Sequence, residues 1–192
     1  MGKKVREKTV EGGLNHLKQL HPTDKYLILG DSHTERLQWR FPQFAPNFTW
    51  LCGVGGDTIS QLAYRIKNDN NTGYVQSEIS NRFQVIVVLV GTNNCHGELK
   101  LPQVAKMVNQ VQDIVDILKE RWPESKLVVL PIPPYTDSAR MYNQALLELG
   151  MSQYDWNDID PETDFEDHVH LNENGYRKFL SILSKCGIPS NI

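Results

Sequence analysis

The chain of 192 residues holds a serine, a histidine and an aspartate in settings where a backbone could fix them in place. Ser32 lies in the stretch YLILGDSHTERL, residues 26–37, between an apolar run and an amphipathic one. A serine there can cap a helix, because its oxygen accepts from an orphan N–H of the first turn. The same turn also lifts a hydroxyl to the mouth of a sheet, where a nucleophilic serine has to sit. Asp167 and His170 are three residues apart in Asp167-His168-Val169-His170-Leu171. A single turn at that spacing can bring the carboxylate to one ring nitrogen and leave the other facing outward. A serine base needs this arrangement: the acid fixes the tautomer and steadies the imidazolium, and Nε2 takes the proton. An acidic residue just before a helix is also ordinary capping chemistry, so the pair alone decides nothing.

Two further stretches bear on a developing negative charge. Gly53-Val54-Gly55-Gly56-Asp57 and Gly91-Thr92-Asn93-Asn94 each follow an apolar run. Glycine permits sharp turns, and it also lets a backbone N–H approach a ligand closely. Asparagine forms turns readily, and its amide can aim an N–H at an oxyanion. Taken together, a serine, a glycine N–H and an asparagine amide could surround one carbonyl oxygen.

The elements that would position these residues can be read from periodicity. Apolar runs at 26–29, 49–54, 83–90 and 126–132 predict strands, with a fifth, poorly marked, near Tyr154. Helical patterns fall at about 34–40, 58–67, 102–122, 138–149 and 173–186. The third is clearest, with Val104, Val108, Val111, Val115 and Leu118 on one face. This alternation predicts an α/β three-layer sandwich, a central five-stranded parallel sheet flanked by helices. Ligands in such sheets bind outside the carboxyl ends of the strands, where the loops that carry Ser32, Gly56 and Asn93 fall. Asn172 is placed to cap the last helix, and Asp31 reads as a turn or cap residue.

Residues 1–24 read as an N-terminal tail or short helix, with the end of a coiled coil as an alternative, and residues 25–192 as one domain. In the tail, Val10, Leu14 and Leu17 share a helical face, interrupted by Gly12 and Gly13. Composition narrows the function classes. A 40% hydrophobic and 22% charged content is that of a globular chain. The net charge of -3 argues against a broad nucleic-acid groove. The basic patch of Lys3, Lys4, Arg6 and Lys8 reads as a solvated tail. Three cysteines, Cys52, Cys95 and Cys186, without C-x-x-C spacing suit a reducing, intracellular and cytoplasmic setting. The first 25 residues lack the apolar core of a signal peptide, and no run is long enough for a membrane span. Cys95-His96 is not spaced as a metal pair, so neither metal nor cofactor is expected. The acidic stretch 155–167 lacks a calcium-loop pattern and reads as a solvated loop.

In order and context, G-D-S at 30–32, G-G at 55–56, G-T-N-N at 91–94 and D-x-x-H at 167–170 resemble the four blocks of the SGNH (GDSL-type, flavodoxin-like) hydrolase superfamily. The likeness spans about residues 25–187. Within the superfamily, Gly53-Val54-Gly55-Gly56-Asp57-Thr58 and Val90-Gly91-Thr92-Asn93-Asn94 resemble the catalytic subunits of intracellular platelet-activating-factor acetylhydrolase, and these blocks with Gly30 to Leu37 resemble the esterase domain of LINE-type retrotransposon first open-reading-frame proteins. The resemblance implies that Ser32 is the nucleophile, His170 the general base and Asp167 its orienting acid. It implies an oxyanion hole made by the N–H of Ser32, the N–H of Gly56 and the side-chain amide of Asn93. His33 and Val169, beside these residues, are candidates for the substrate wall.

The function this implies is hydrolysis of short, acetyl-like acyl esters, lipid esters among them, through an acyl-enzyme. The retrotransposon likeness implies self-association through an upstream coiled coil and RNA bound elsewhere, and the acidic balance implies no direct nucleic-acid site in this domain. The competing reading is a non-catalytic lipid-binding or ribonucleoprotein assembly module on the same fold.

Overall fold

Residues 82–90 illustrate why this chain builds a parallel sheet. Strand β3 (Val85–Leu89, VIVVL) has no polar face to turn to water, and all of it is buried. It lies between β1 (Tyr26–Gly30) and β4 (Lys126–Val129), and β2 (Thr49–Gly53) pairs with the other edge of β1. All the pairings are parallel, in the order β2-β1-β3-β4. The computed structural model describes residues 5–67, 73–75, 79–80 and 82–189. Lys3 and Lys4 of the basic patch lie outside the described residues.

The helices are α1 (Glu7–Gln19), α2 (Ser32–Trp39), α3 (Ile59–Lys67), α4 (Leu101–Arg121), α5 (Asp137–Glu148) and α6 (Glu173–Cys186). The valine and leucine stripe foreseen on α4 is its buried face. Asn172 caps α6 as expected, its side chain accepting from Gly175 N–H at 3.1 Å. Right-handed crossovers place α2, which leads from β1 to β2, on the opposite face from α3 and α4. Along one layer α1 packs on α3, α3 on α4 and α4 on α5. On the other, α6 reaches α2 through Tyr176, whose hydroxyl donates to His33 O at 2.8 Å.

Two expectations are corrected. The described residues form four strands, not five. Near Tyr154 the backbone bonds locally instead, with Tyr154 N–H donating to Ser152 Oγ at 3.2 Å. Such side-chain bonds compete with a ladder. Just past β4, Pro131, Pro133 and Pro134 have no N–H to offer a further strand. The second correction concerns α1. Its buried residues are Thr9, Gly13 and His16, whereas Leu14 is 37% exposed. The helix turns its glycines inward because it lies so close to the sheet: a Cβ on Gly12 would stand 2.5 Å from Val54.

Candidate active site

Register brings the functional loops together. Gly30, the last residue of β1, pairs with Gly53 of β2 and Leu89 of β3, so the three following loops open at one level. The strand order reverses between β1 and β3, which makes their carboxyl ends the natural crevice. Ser32 is the first residue of α2, but the helix is capped by Asp31, whose Oδ1 accepts from His33 N–H at 3.2 Å. Freed from capping, Ser32 Oγ lies 3.1 Å from His170 Nε2 and keeps 8% exposure.

His170 is held by a tight acidic turn. Asp167 Oδ1 accepts from the N–H of Val169 and of His170, each at 2.7 Å, and Oδ2 lies 2.7 Å from His170 Nδ1. Partial burial pushes the Asp167 carboxyl up, but these donors outweigh it and hold the group at about 2. It therefore stays ionised, and an ionised acceptor beside Nδ1 favours the neutral tautomer that carries its proton there and turns the Nε2 lone pair toward Ser32. The supporting loop is not merely solvated. Asp164 is buried beneath it, bonded to Lys178 and Asn174 of α6. Glu166 N–H donates to His170 O at 2.9 Å, and the Glu166 carboxylate pairs with Arg36 of α2.

The two glycine- and asparagine-bearing loops are tied to each other. Asn93 Nδ2 donates to Asp57 O at 3.0 Å, and Asn94 Oδ1 accepts from Ile59 N–H at 3.0 Å at the start of α3. Gly56 adopts φ +83°, a conformation that side-chain-bearing residues rarely take. Tyr135, for which nothing in the sequence prepared us, donates from its hydroxyl to Thr92 O at 2.7 Å and steadies the same loop.

His33 is fully buried behind His170, their rings 5.7 Å apart, and does not reach the open surface; Val169 is half-buried on the turn. His96 and His168 are exposed and belong to none of the hydrogen-bonded chain above. Burial pushes the Cys95 thiol up to about 12, so it is a poor nucleophile at neutral pH. Among the described residues no three His, Cys, Asp or Glu gather as a metal site, and no helix is long and apolar enough to cross a membrane.

Beneath the site runs a buried polar network that sequence reading missed. Arg65 donates to Gly30 O at 2.9 Å, Cys52 O at 3.0 Å, the Tyr74 hydroxyl at 2.7 Å and Asp57 Oδ2 at 2.8 Å. Tyr74 in turn bonds His16 Nδ1 at 2.8 Å, and Thr9 Oγ1 donates to Asp57 Oδ1 at 2.6 Å. A signal existed: Arg65 falls on the stripe of α3 that buries Ile59, Leu62 and Ile66.

The buried ionisable groups predict a pH dependence of stability. Burial holds His16 at about 3, helped by the Arg65 charge, and His33 at about 3, helped by His170 and Arg36. Both are therefore neutral when folded but take a proton when unfolded below about 6.5. Their contribution is complete above that pH and is lost as pH falls toward 3. Burial raises Asp31 to about 6 against its donors from Thr92 and His33. Folding makes Asp31 bind a proton between about 6 and 3.8, so it offsets one of the two histidines in that range. The expected result is a stability that declines from pH 6.5 downward, by roughly 1.4 kcal/mol per pH unit for each uncompensated proton. Urea unfolding at pH 7, 6 and 5 measures it, and an unchanged midpoint across that series would contradict it.

The chain is similar to several known proteins. The chain is 32% identical over 113 residues to the human platelet-activating factor acetylhydrolase IB subunit alpha2, covering 56% of this chain and 43% of that protein. It is 28% identical over 174 residues to the alpha1 subunit of Pongo abelii, covering 78% of this chain and 69% of the relative. The chain thus spans less than half the length of the alpha2 subunits. In fold it matches a GDSL-like lipase from Bacteroides thetaiotaomicron with TM-score 0.66 and 15% identity, over 93% of this chain and 97% of that one. A platelet activating factor protein from Streptococcus pneumoniae matches with TM-score 0.65 and 18% identity, over 93% and 90%. The profile of the GDSL-like lipase/acylhydrolase family covers residues 28–178, which include Ser32, Asp167 and His170, and the chain belongs to that family.

Proposed function

We propose that the protein is a serine esterase acting on short, acetyl-like acyl esters through Ser32, His170 and Asp167. The observation that carries this reading is the unbroken chain from Asp167 Oδ2 through His170 to Ser32 Oγ, with links of 2.7 and 3.1 Å. Ser32 Oγ attacks the ester carbonyl as His170 Nε2 takes its proton, and the tetrahedral intermediate collapses as that proton passes to the leaving alcohol. The acyl group remains on Oγ. Water then gives a proton to His170 and attacks the acyl-enzyme, and the acid leaves as Ser32 regains its proton.

The oxyanion rests on the N–H groups of Ser32 and Gly56 and on the Asn93 amide. One N–H of that amide is anchored on Asp57 O, and the nitrogen carries a second for the substrate. The acetylhydrolase relatives support a small acyl group and admit a lipid ester as substrate. Three buried, unpaired thiols support a cytoplasmic setting. The likeness of residues 30–37 to retrotransposon esterase domains supports that context, with a coiled coil upstream and RNA bound outside this domain.

Turnover of p-nitrophenyl esters is expected to fall as the acyl chain lengthens from acetyl, and a fluorophosphonate is expected to label the protein once, on Ser32. Labelling at another residue, or no turnover of any ester, would leave the binding-module reading in its place.

A further inference from the structure

The groups that hold the oxyanion in the reading above are themselves held from α1. Arg6, at the entry to that helix, donates to Gly55 O at 3.2 Å and also to Gly56 O. The Gly55 carbonyl and the Gly56 N–H lie in one peptide plane and point in opposite directions within it. Fixing the carbonyl from behind therefore aims the N–H, and donation from a cation polarises the amide into a better donor. The loop needs such an anchor, because Gly55-Gly56 has little conformational preference of its own.

Thr9 acts on the second donor. Its buried hydroxyl takes Asp57 Oδ1 at 2.6 Å while Arg65 Nε takes Oδ2 at 2.8 Å. With both carboxylate oxygens engaged, Asp57 cannot swing, and its carbonyl stays where Asn93 Nδ2 meets it at 3.0 Å.

We propose that Arg6 and Thr9 are positioning residues of the oxyanion hole, Arg6 for the Gly56 N–H and Thr9 for the Asn93 amide. This rests on the esterase reading. It makes the start of α1 part of the active machinery, so that whatever displaces that turn lowers turnover without touching Ser32, His170 or Asp167.

The test uses p-nitrophenyl acetate and a trifluoromethyl ketone, which forms a tetrahedral oxyanion on the serine. Thr9→Val is expected to lower kcat roughly ten- to hundredfold and Arg6→Ala roughly tenfold, with KM within about twofold. Ketone affinity should weaken by the same factors. Thr9→Ser, which keeps the hydroxyl, should restore most of the rate. A helix contact that only stabilises the fold would move the melting temperature and leave this kcat and ketone pattern unmoved.

Folded Thr9→Val and Arg6→Ala proteins with kcat near the parent value would overturn the proposal and leave the esterase reading intact. So would losses confined to KM, or a Thr9→Ser protein as slow as Thr9→Val. Should Thr9→Val fail to fold, the exposed Arg6→Ala decides alone. A parent protein without hydrolysis that Ser32→Ala removes would sink the esterase reading, and this proposal with it.

Discussion

Ser32→Ala is expected to lower kcat/KM for p-nitrophenyl acetate by roughly four orders of magnitude or more, because the attacking oxygen is gone while the oxyanion donors and substrate contacts remain. His170→Ala should cost about as much. The double variant should be scarcely slower than either single one, since a nucleophile without its base and a base without its nucleophile are equally idle. The fold should be indifferent to the change. Asp31 supplies the cap of α2, with His33 N–H at 3.2 Å from its Oδ1, so no helix-starting bond is lost with the Ser32 hydroxyl. Steady-state kinetics beside a thermal melt separates the two effects. Retention of more than a tenth of the rate by Ser32→Ala would show that the hydrolysis does not pass through this serine.

Arg65→Met carries the largest expected cost in stability. The Arg65 side chain is 1% exposed and its partner Asp57 is 0% exposed, so the pair is shielded from water. Removing the guanidinium leaves a buried carboxylate with Thr9 as its remaining side-chain donor, and deprives Gly30 O, Cys52 O and the Tyr74 hydroxyl of a partner. Breaking one side of a buried pair costs about 3–5 kcal/mol, a large share of the about 5–15 kcal/mol that holds a domain together. Adding Asp57→Asn should recover part of the loss by removing the stranded charge. Urea unfolding of the single and double variants measures both values. A loss below about 1 kcal/mol for Arg65→Met would mean that water reaches Asp57 and that the network is not dry.

Activity should fall along with stability, since Gly30 immediately precedes Asp31 and Ser32. The network explains how a short strand end can hold a nucleophile still: its last carbonyl is fastened to a cation that also grips β2 and the loop after it.

Much of this protein was legible in its residue order, because the relevant forces act over short separations. Strands and helices declare themselves by period, as the buried run of β3 and the stripe of α4 do. The Asp167–His170 turn needs only three residues of chain. The loops after β1, β2 and β3 share one edge because parallel strands all end on the same side. The fifth strand failed where signals were weakest, near a proline-rich exit from β4 whose missing N–H groups count against a ladder.

Tertiary structure alone decided the rest. The 138-residue separation between His170 and Ser32 was bridged in the sequence only by likeness to a family, and the 3.1 Å contact comes from sheet register and the packing of α6 on α2. The glycine face of α1 looked like a flaw in a helix and is its docking surface, since an approach that close leaves no room for a side chain. Thr9 and Asp57 are 48 residues apart, Arg6 and Gly56 are 50, and no period connects them. Periodicity reports which face of an element avoids water; which polar groups meet inside depends on how those faces are stacked, and that is fixed only when the whole chain packs.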